Sequence, residues 1–340
     1  MTIVMGLDQH RAQITGEWLD TDTGEIHRVR VAPADRGAVR GFLSRFRGAE
    51  LEVALEATTG WRFLVEELVG VGAIVHLAEP AETAELKGPK KRAKNDRADA
   101  RHLRELLMIG RLPESWIPPE HILDLREQTR LRHTLSEQRR EWQQRIQATL
   151  YHHGCPQRRK LMTAEGRSWL DAQPLPATAR EQITIALAMI AALELQIAPM
   201  DKALGAYARR QAGCKALTVH YGIGRLTAVT ILAELGDCTR FSSSRQAVRY
   251  AGLDITVYQS DRHRKPGHLS RQGPPALRWA LYEAAQVCRR ADGRSPDRDY
   301  YLDVKQRIGG NRACLALARK LLKRCYHTLR ELGEEALAPA

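Results

Sequence analysis

The sequence has no C-x-x-C pair, and its six cysteines (155, 214, 238, 288, 314 and 325) are scattered. That spacing excludes a disulfide framework and the common zinc patterns, and it fits reduced thiols. No stretch of about 18 apolar residues stands out, so no transmembrane helix is expected. The first ten residues, MTIVMGLDQH, lack a basic segment followed by a long apolar one, so no signal peptide is expected. There is no internal repeat and no low-complexity tail. Acidic residues are in deficit, with 40 Asp+Glu against 53 Lys+Arg and a formal net charge of +13. Hydrophobic residues make up 43% and charged residues 27%, an ordinary globular balance that excludes a mostly disordered chain. At 340 residues the chain is long enough for two domains with their own cores. The positive surplus points to a polyanionic partner. An Arg-rich protein from a high-GC genome would show the same surplus, and composition alone leaves both open.

The first hundred residues read as α/β. Short alternating or apolar runs at 2–8, 13–20 and 25–31 predict three strands. Helical spacing of Val39, Phe42, Leu43 and Phe46 follows, then strand 51–57, helix 60–72 and strand 73–78. A three-strand meander followed by αβαβ is the pattern of an RNase H-like (RuvC-like) domain, unlike a doubly wound sheet that alternates from the start. From residue 95 the reading is helical. Helices are expected at 95–110, 120–152 and 178–210, with a Pro-containing break at 171–179. Leu131, Leu135, Trp142, Ile146 and Leu150 mark a near-heptad face on 120–152, as in a coiled coil. Beyond 213 come a glycine hairpin opening an apolar helix, a short helix at 244–252, a loop over 254–275, and helices at 275–290 and 313–332. The expected division is 1–112, 113–212 and 213–340.

Four carboxylates stand out. Asp8 ends the first strand in G-L-D, and Glu56 ends the fourth in A-L-E-A-T-T-G. Asp96 and Asp99, in K-N-D-R-A-D-A, share one face of a first helical turn. If strands one and four are parallel neighbours, Asp8 and Glu56 lie side by side at the carboxyl edge of the sheet, where open α/β sheets build sites. Four converging acids repel one another unless cations stand between them. Oxygen ligands suit Mg²⁺ or Mn²⁺, and paired ions clamp the oxygens of a phosphodiester. Each acid alone has a bland explanation, since strand-end Asp often caps a turn and acids suit a helix N-terminus. Their joint placement makes the case. The run 87–97 adds Lys90, Lys91, Arg92 and Lys94 just before Asp96, able to neutralise phosphates or simply to form a solvated loop.

In the C-terminal half, Gly222, Gly224 and Arg225 in G-I-G-R-L-T-A resemble a helix-hairpin-helix turn presenting free N–H groups to phosphate. Glycine turns between helices are also common structural devices. Downstream, no acid occurs between Asp261 and Glu283, while Arg262, Arg264, Lys265 and Arg271 follow Ser260. A serine so placed can attack phosphorus while guanidinium groups stabilise the transition state. On chemistry alone it is one of several loop serines.

As an ordered set these segments resemble the insertion-sequence DEDD transposases related to the Piv pilin-gene invertase, a group that includes RNA-guided recombinases. The resemblance runs through G-L-D, A-L-E-A-T-T-G, K-N-D-R-A-D-A, Y-G-I-G-R-L-T-A, the 241–253 segment, Y-Q-S (258–260) and 267–278. It implies a RuvC-like domain, a coiled-coil linker and a mostly helical transposase domain. It implies that Asp8, Glu56, Asp96 and Asp99 hold Mg²⁺ or Mn²⁺, and that Ser260 is the nucleophile forming a phosphoserine link. The family usually has glycine after that serine, where this chain has Asp261. The resemblance further implies donor and target DNA, a structured guide RNA, a dimer or tetramer, and a cytoplasmic, nucleoid-associated bacterial protein without a membrane partner. The rival expectations are a junction-resolving nuclease using water on the same acids, and a non-catalytic nucleic-acid-binding protein.

Overall fold

A computed structural model describes residues 2–87, 95–256, 258–260, 263–265, 267–291 and 295–340. Two compact units emerge, 1–117 and 118–340.

The first unit is built on five strands: β1 (Thr2–Gln9), β2 (Ile14–Asp20), β3 (Ile26–Val31), β4 (Glu50–Glu56) and β5 (Ile74–Ala78). Their order is β3-β2-β1-β4-β5; β1 and β3 run antiparallel to β2, and β4 runs parallel to β1 and β5. Successive side chains point to opposite faces. Ile3, Met5, Leu7, Leu51, Val53 and Leu55 therefore share one face and form a core with α1 (Arg36–Leu43) and α2 (Trp61–Gly70). Asp35 caps α1 by accepting from the Ala38 amide. The opposite face carries Gly6, Asp8, Ala54 and Glu56, and receives α4 (Asp96–Met108) through Leu103. A short α3 (Pro80–Glu85), absent from the sequence expectation, precedes it. One helical turn is too short for hydrophobic periodicity to register, and its signal is the Glu79 cap with Pro80 at the start.

The second unit begins with α5 (Glu120–His152), α6 (Ala164–Asp171) and α7 (Ala177–Arg210). Ile146 and Leu150 of α5 meet Ile183, Ala186 and Ile190 of α7 in a small core that Leu161 and Leu170 close. The expected α5 face is only partly buried: Leu131 is exposed, whereas Ile122, Leu125 and Thr129 are buried. Ion pairing displaces the stripe there, with Arg132 bound to Asp201 of α7. Helix α6 lies just before the expected Pro break and had not been anticipated. Contrary to expectation, α7 is long and apolar enough to cross a membrane by length and composition, with a mean hydropathy of 1.8 over 18 residues. Its charged residues sit towards its two ends and at Glu194, which spreads the apolar character around the helix rather than along one stripe.

The main core of this unit joins α8 (Ala212–Thr218), α9 (Arg225–Leu235), α10 (Ser244–Tyr250), α11 (Pro275–Cys288), α12 (Pro296–Ile308) and α13 (Gly310–Leu332). The segment expected as loop contains a two-stranded hairpin, β6 (Tyr258–Ser260) with β7 (His263–Lys265). Three-residue strands are too short to show alternation. Helix α12 was also missed; it is polar on most faces, and Pro296 at its start with the Ser295 cap marks it.

Glu67 of α2 ties α2 to α1. It is almost fully buried and accepts from Arg36 Nη1 at 2.7 Å and Arg40 Nε at 2.6 Å. Hydrogen bonds from Arg40 and then Arg36 outweigh burial and hold its carboxyl at about 2 instead of 4.5. A depressed folded-state value stabilises above the unfolded value and is lost as pH falls through the folded one. Glu67→Gln is expected to melt lower than the wild type at neutral pH. The gap should shrink below pH 4.5 and disappear below about 2; a gap independent of pH would contradict this.

Candidate metal centre

The site is assembled where β1 meets α4. Leu7 of β1 pairs with Leu55 of β4, so Asp8 and Glu56 occupy adjacent positions at the same sheet edge and on the same face. Helix α4 begins over that edge. Asn95 caps it by accepting from the Arg97 amide, which sets Asp96 and Asp99 in its first turn.

Position 6 controls how close the helix comes. A Cβ built at Gly6 would lie 2.0 Å from the Ala100 carbonyl oxygen and 2.7 Å from the Arg104 nitrogen. Both are backbone atoms and cannot rotate away. Only glycine lets the α4 backbone rest on β1, two residues before Asp8. A buried charge cluster fixes the helix from the other end. Glu17, opposite Gly6 on β2, accepts from Arg104 Nη2 at 3.1 Å and Arg28 Nε at 2.8 Å. Burial raises the Glu17 carboxyl, but hydrogen bonds from Arg28 and Arg104 and the charges of Arg101 and Arg104 outweigh it, so Glu17 stays ionised.

Within this frame Asp8, His10 and Asp96 place their ligand atoms within 4.8 Å of one another. His10 Nε2 lies 3.2 Å from Asp8 Oδ2 and 3.5 Å from Asp96 Oδ1. Gln13 Nε2 donates to Asp96 Oδ2 at 3.1 Å. Asp99 belongs to the same turn and takes Lys87 Nζ at 2.7 Å. Burial, together with the charges of Asp99 and Asp96, pushes the Asp8 carboxyl up, and His10 opposes this. A nearly buried carboxylate facing two others is a position where a cation is favoured. The donor set of carboxylate oxygens plus one imidazole fits a divalent ion. Of the expected acids, the structure brings Asp8 and Asp96 into one cluster and seats Asp99 and Glu56 on its flanks. His10 was missed. It stands just past the end of β1, two residues after Asp8, in G-L-D-Q-H.

The other expected residues lie in different surroundings. Lys90, Lys91, Arg92, Lys94 and Arg262 fall outside the described residues. Ser260 pairs with His263 across the β6–β7 hairpin, and Arg264 and Lys265 lie on β7. Gly222, with φ of 88°, packs its α-carbon against Ala284 O and Cys288 Sγ, both 2.6 Å from a built Cβ, so close packing accounts for this glycine. Gly224 caps α9 with open space around it, Arg225 is exposed in the first turn, and Arg271 is exposed with φ of 56°.

Gly6→Ala is expected to cost about 1–3 kcal/mol in urea unfolding, as overpacking against backbone does. Gly41→Ala, whose Cβ meets open space within α1, should cost nothing. Equal effects would contradict the seating of α4 on Gly6. Arg104→Met leaves Glu17 with one of its buried partners removed and should cost about 3 kcal/mol.

Comparison with known proteins adds an independent line. Residues 5–154 match a DEDD family of IS110 type described as Transposase, and residues 214–302 match the Transposase IS116/IS110/IS902 family. A Pseudomonas aeruginosa protein named "Probable family 20 transposase" is 29% identical over 149 residues, 43% of this chain and 44% of that protein. The Coxiella burnetii "Transposase for insertion sequence element IS1111A" is 25% identical over 282 residues, 79% of this chain and 74% of that one. The chain thus spans less than half the length of the first of these relatives. The first family match contains Asp8, Glu56, Asp96 and Asp99, and the second contains Ser260. Taken together the two matches cover most of the chain, and the protein belongs to the IS116/IS110/IS902 family of transposases.

Proposed function

We propose that the protein is a DNA transposase that cuts and rejoins DNA with a metal-dependent acidic site and a serine nucleophile. The observation that carries this reading is the convergence of Asp8 and Asp96 on one point at the β1–α4 junction. The sheet order, with a meander followed by parallel strands, supports an RNase H-like domain around that point. Among the described residues, the half-exposed His10 and Lys87 pair with these acids, and the carboxylate oxygens suit a site that takes Mg²⁺. The bound ion would polarise a phosphodiester and offset its charge.

Ser260 is the proposed nucleophile. Its Oγ forms a bond to phosphorus as one phosphodiester P–O bond breaks, and the departing sugar oxygen takes up a proton. The phosphoserine link conserves the bond energy needed to join new ends. Its place in a tight hairpin, with five Lys/Arg residues and no acid between Asp261 and Glu283, supports this role. Donor and target DNA are the proposed substrates, with a structured RNA as guide and a dimer or tetramer as the working unit. Gly224, Arg225, Arg264, Lys265 and Arg271 are the proposed phosphate contacts, together with Lys90, Lys91, Arg92 and Lys94, which precede Asp96 in the sequence. A bacterial cytoplasmic setting at the nucleoid follows from that role.

The decisive test is trapping in denaturant with DNA carrying the element's ends and any RNA that co-purifies. The wild type should yield a covalent protein–DNA adduct that Ser260→Ala abolishes, and Asp8→Asn should abolish recombination with the fold intact. Metal-dependent cleavage without an adduct, undiminished in Ser260→Ala, would overturn the serine role and favour a nuclease that uses water. Sequencing the co-purified RNA should return one species from beside the encoding gene; a random population would overturn guidance.

A further inference from the structure

The acid site contains a nitrogen donor that a purely carboxylate centre would not have. His10 directly follows the last residue of β1, Gln9, two residues after Asp8. Its Nε2 stands 3.2 Å from Asp8 Oδ2 and 3.5 Å from Asp96 Oδ1. Ligands bound to one ion at about 2.2 Å stand about 3.1 Å apart when adjacent and about 4.4 Å when opposite. The two separations from His10 match positions adjacent to each carboxylate around one ion, and the three ligand atoms all lie within 4.8 Å of one another. The ring is half-exposed, and among the described residues its polar partners are the two carboxylates.

Resting on the metal reading above, we infer that His10 is a direct ligand of the site's ion and that this nitrogen gives the site a preference for Mn²⁺ over Mg²⁺. Mg²⁺ is hard, dehydrates reluctantly and favours oxygen. Mn²⁺ accepts oxygen and imidazole nitrogen together, and it lies where added nitrogen raises affinity more than it does for Mg²⁺. Asp8 and Asp96 supply the charge that either ion needs. His10 supplies the discrimination. Gln13, holding the other oxygen of Asp96 at 3.1 Å, fixes which oxygen faces the ion.

The test uses the full chain labelled with [¹⁵N]histidine or unlabelled, Mn²⁺ as the probe, and pulsed electron paramagnetic resonance alongside titration. Bound Mn²⁺ should show imidazole ¹⁴N modulation that changes to the ¹⁵N pattern on labelling. His10→Asn should lose the modulation and weaken Mn²⁺ binding about tenfold, with Mg²⁺, measured by competition, weakened far less. Bound Mn²⁺ without nitrogen modulation in the wild type, or with modulation surviving in His10→Asn, overturns the ligand role of His10 and leaves the acid site standing. The wild-type spectrum decides this even if the variant folds poorly. Equal weakening of both ions overturns the preference. No Mn²⁺ binding, or binding undiminished in Asp8→Asn, overturns the acid site itself.

Discussion

Helix α4 lies so close to β1 that its Ala100 carbonyl and Arg104 amide occupy the space a side chain at position 6 would need. That contact is the constraint on which the candidate centre depends. Two of the expected acids come from the ends of β1 and β4, and two from the first turn of α4, further along the chain. Nothing in the local chain brings them together. The approach of α4 to the sheet does, and small residues at the contact (Gly6, Ala54 and Ala78 on the sheet, Ala100 on α4) make room for it. The polar cluster of Glu17 with Arg28, Arg101 and Arg104 then sets the helix along its length. Removing Arg104, the buried partner among these arginines, would leave the Glu17 carboxylate short of a partner inside the fold.

The positive surplus has a similar structural division. Part of it is spent inside the second unit. Arg130 makes a two-point contact with the fully buried Glu234, Arg126 donates to the Ala233 and Glu234 carbonyls, and Arg132 holds Asp201. Arg324 makes the same kind of contact with Asp297, and Arg278 donates to the Ala251 and Gly273 carbonyls. These arginines tie helices and turns to one another, and they are not free counterions for a polyanion. The exposed Arg225 and Arg271 remain available for the proposed nucleic-acid contacts.

Much of this was legible in the amino-acid sequence because the signals were local and periodic. The five strands, α4 and the long helices fall within a few residues of their expected places, since alternation and 3.6-residue spacing mark them directly. Asp8, Asp96 and Asp99 were readable from strand ends and a capped helix start. His10 was not readable in the same way, since a single histidine just past a strand carries no periodic or capping signal. The Glu17–Arg104 contact was not readable, since it joins residues from β2 and α4 that no periodicity links. Helices α3, α6 and α12 and the β6–β7 hairpin were missed for a different reason. They are short or polar, and caps and tertiary packing define them more than any hydrophobic stripe does. The apolar content of α7 was underestimated because Glu194 and the charged ends break the run to the eye.

The central claim is that β1 and α4 together build one cation site. Diffraction from crystals soaked in Mn²⁺, recorded for its anomalous signal, tests it most directly. The account predicts a single strong peak within bonding distance of the Asp8 and Asp96 carboxylates, with α4 resting on Gly6. Ordered Asp8 and Asp96 side chains too far apart to share an ion, or a manganese peak elsewhere with none between them, would contradict it.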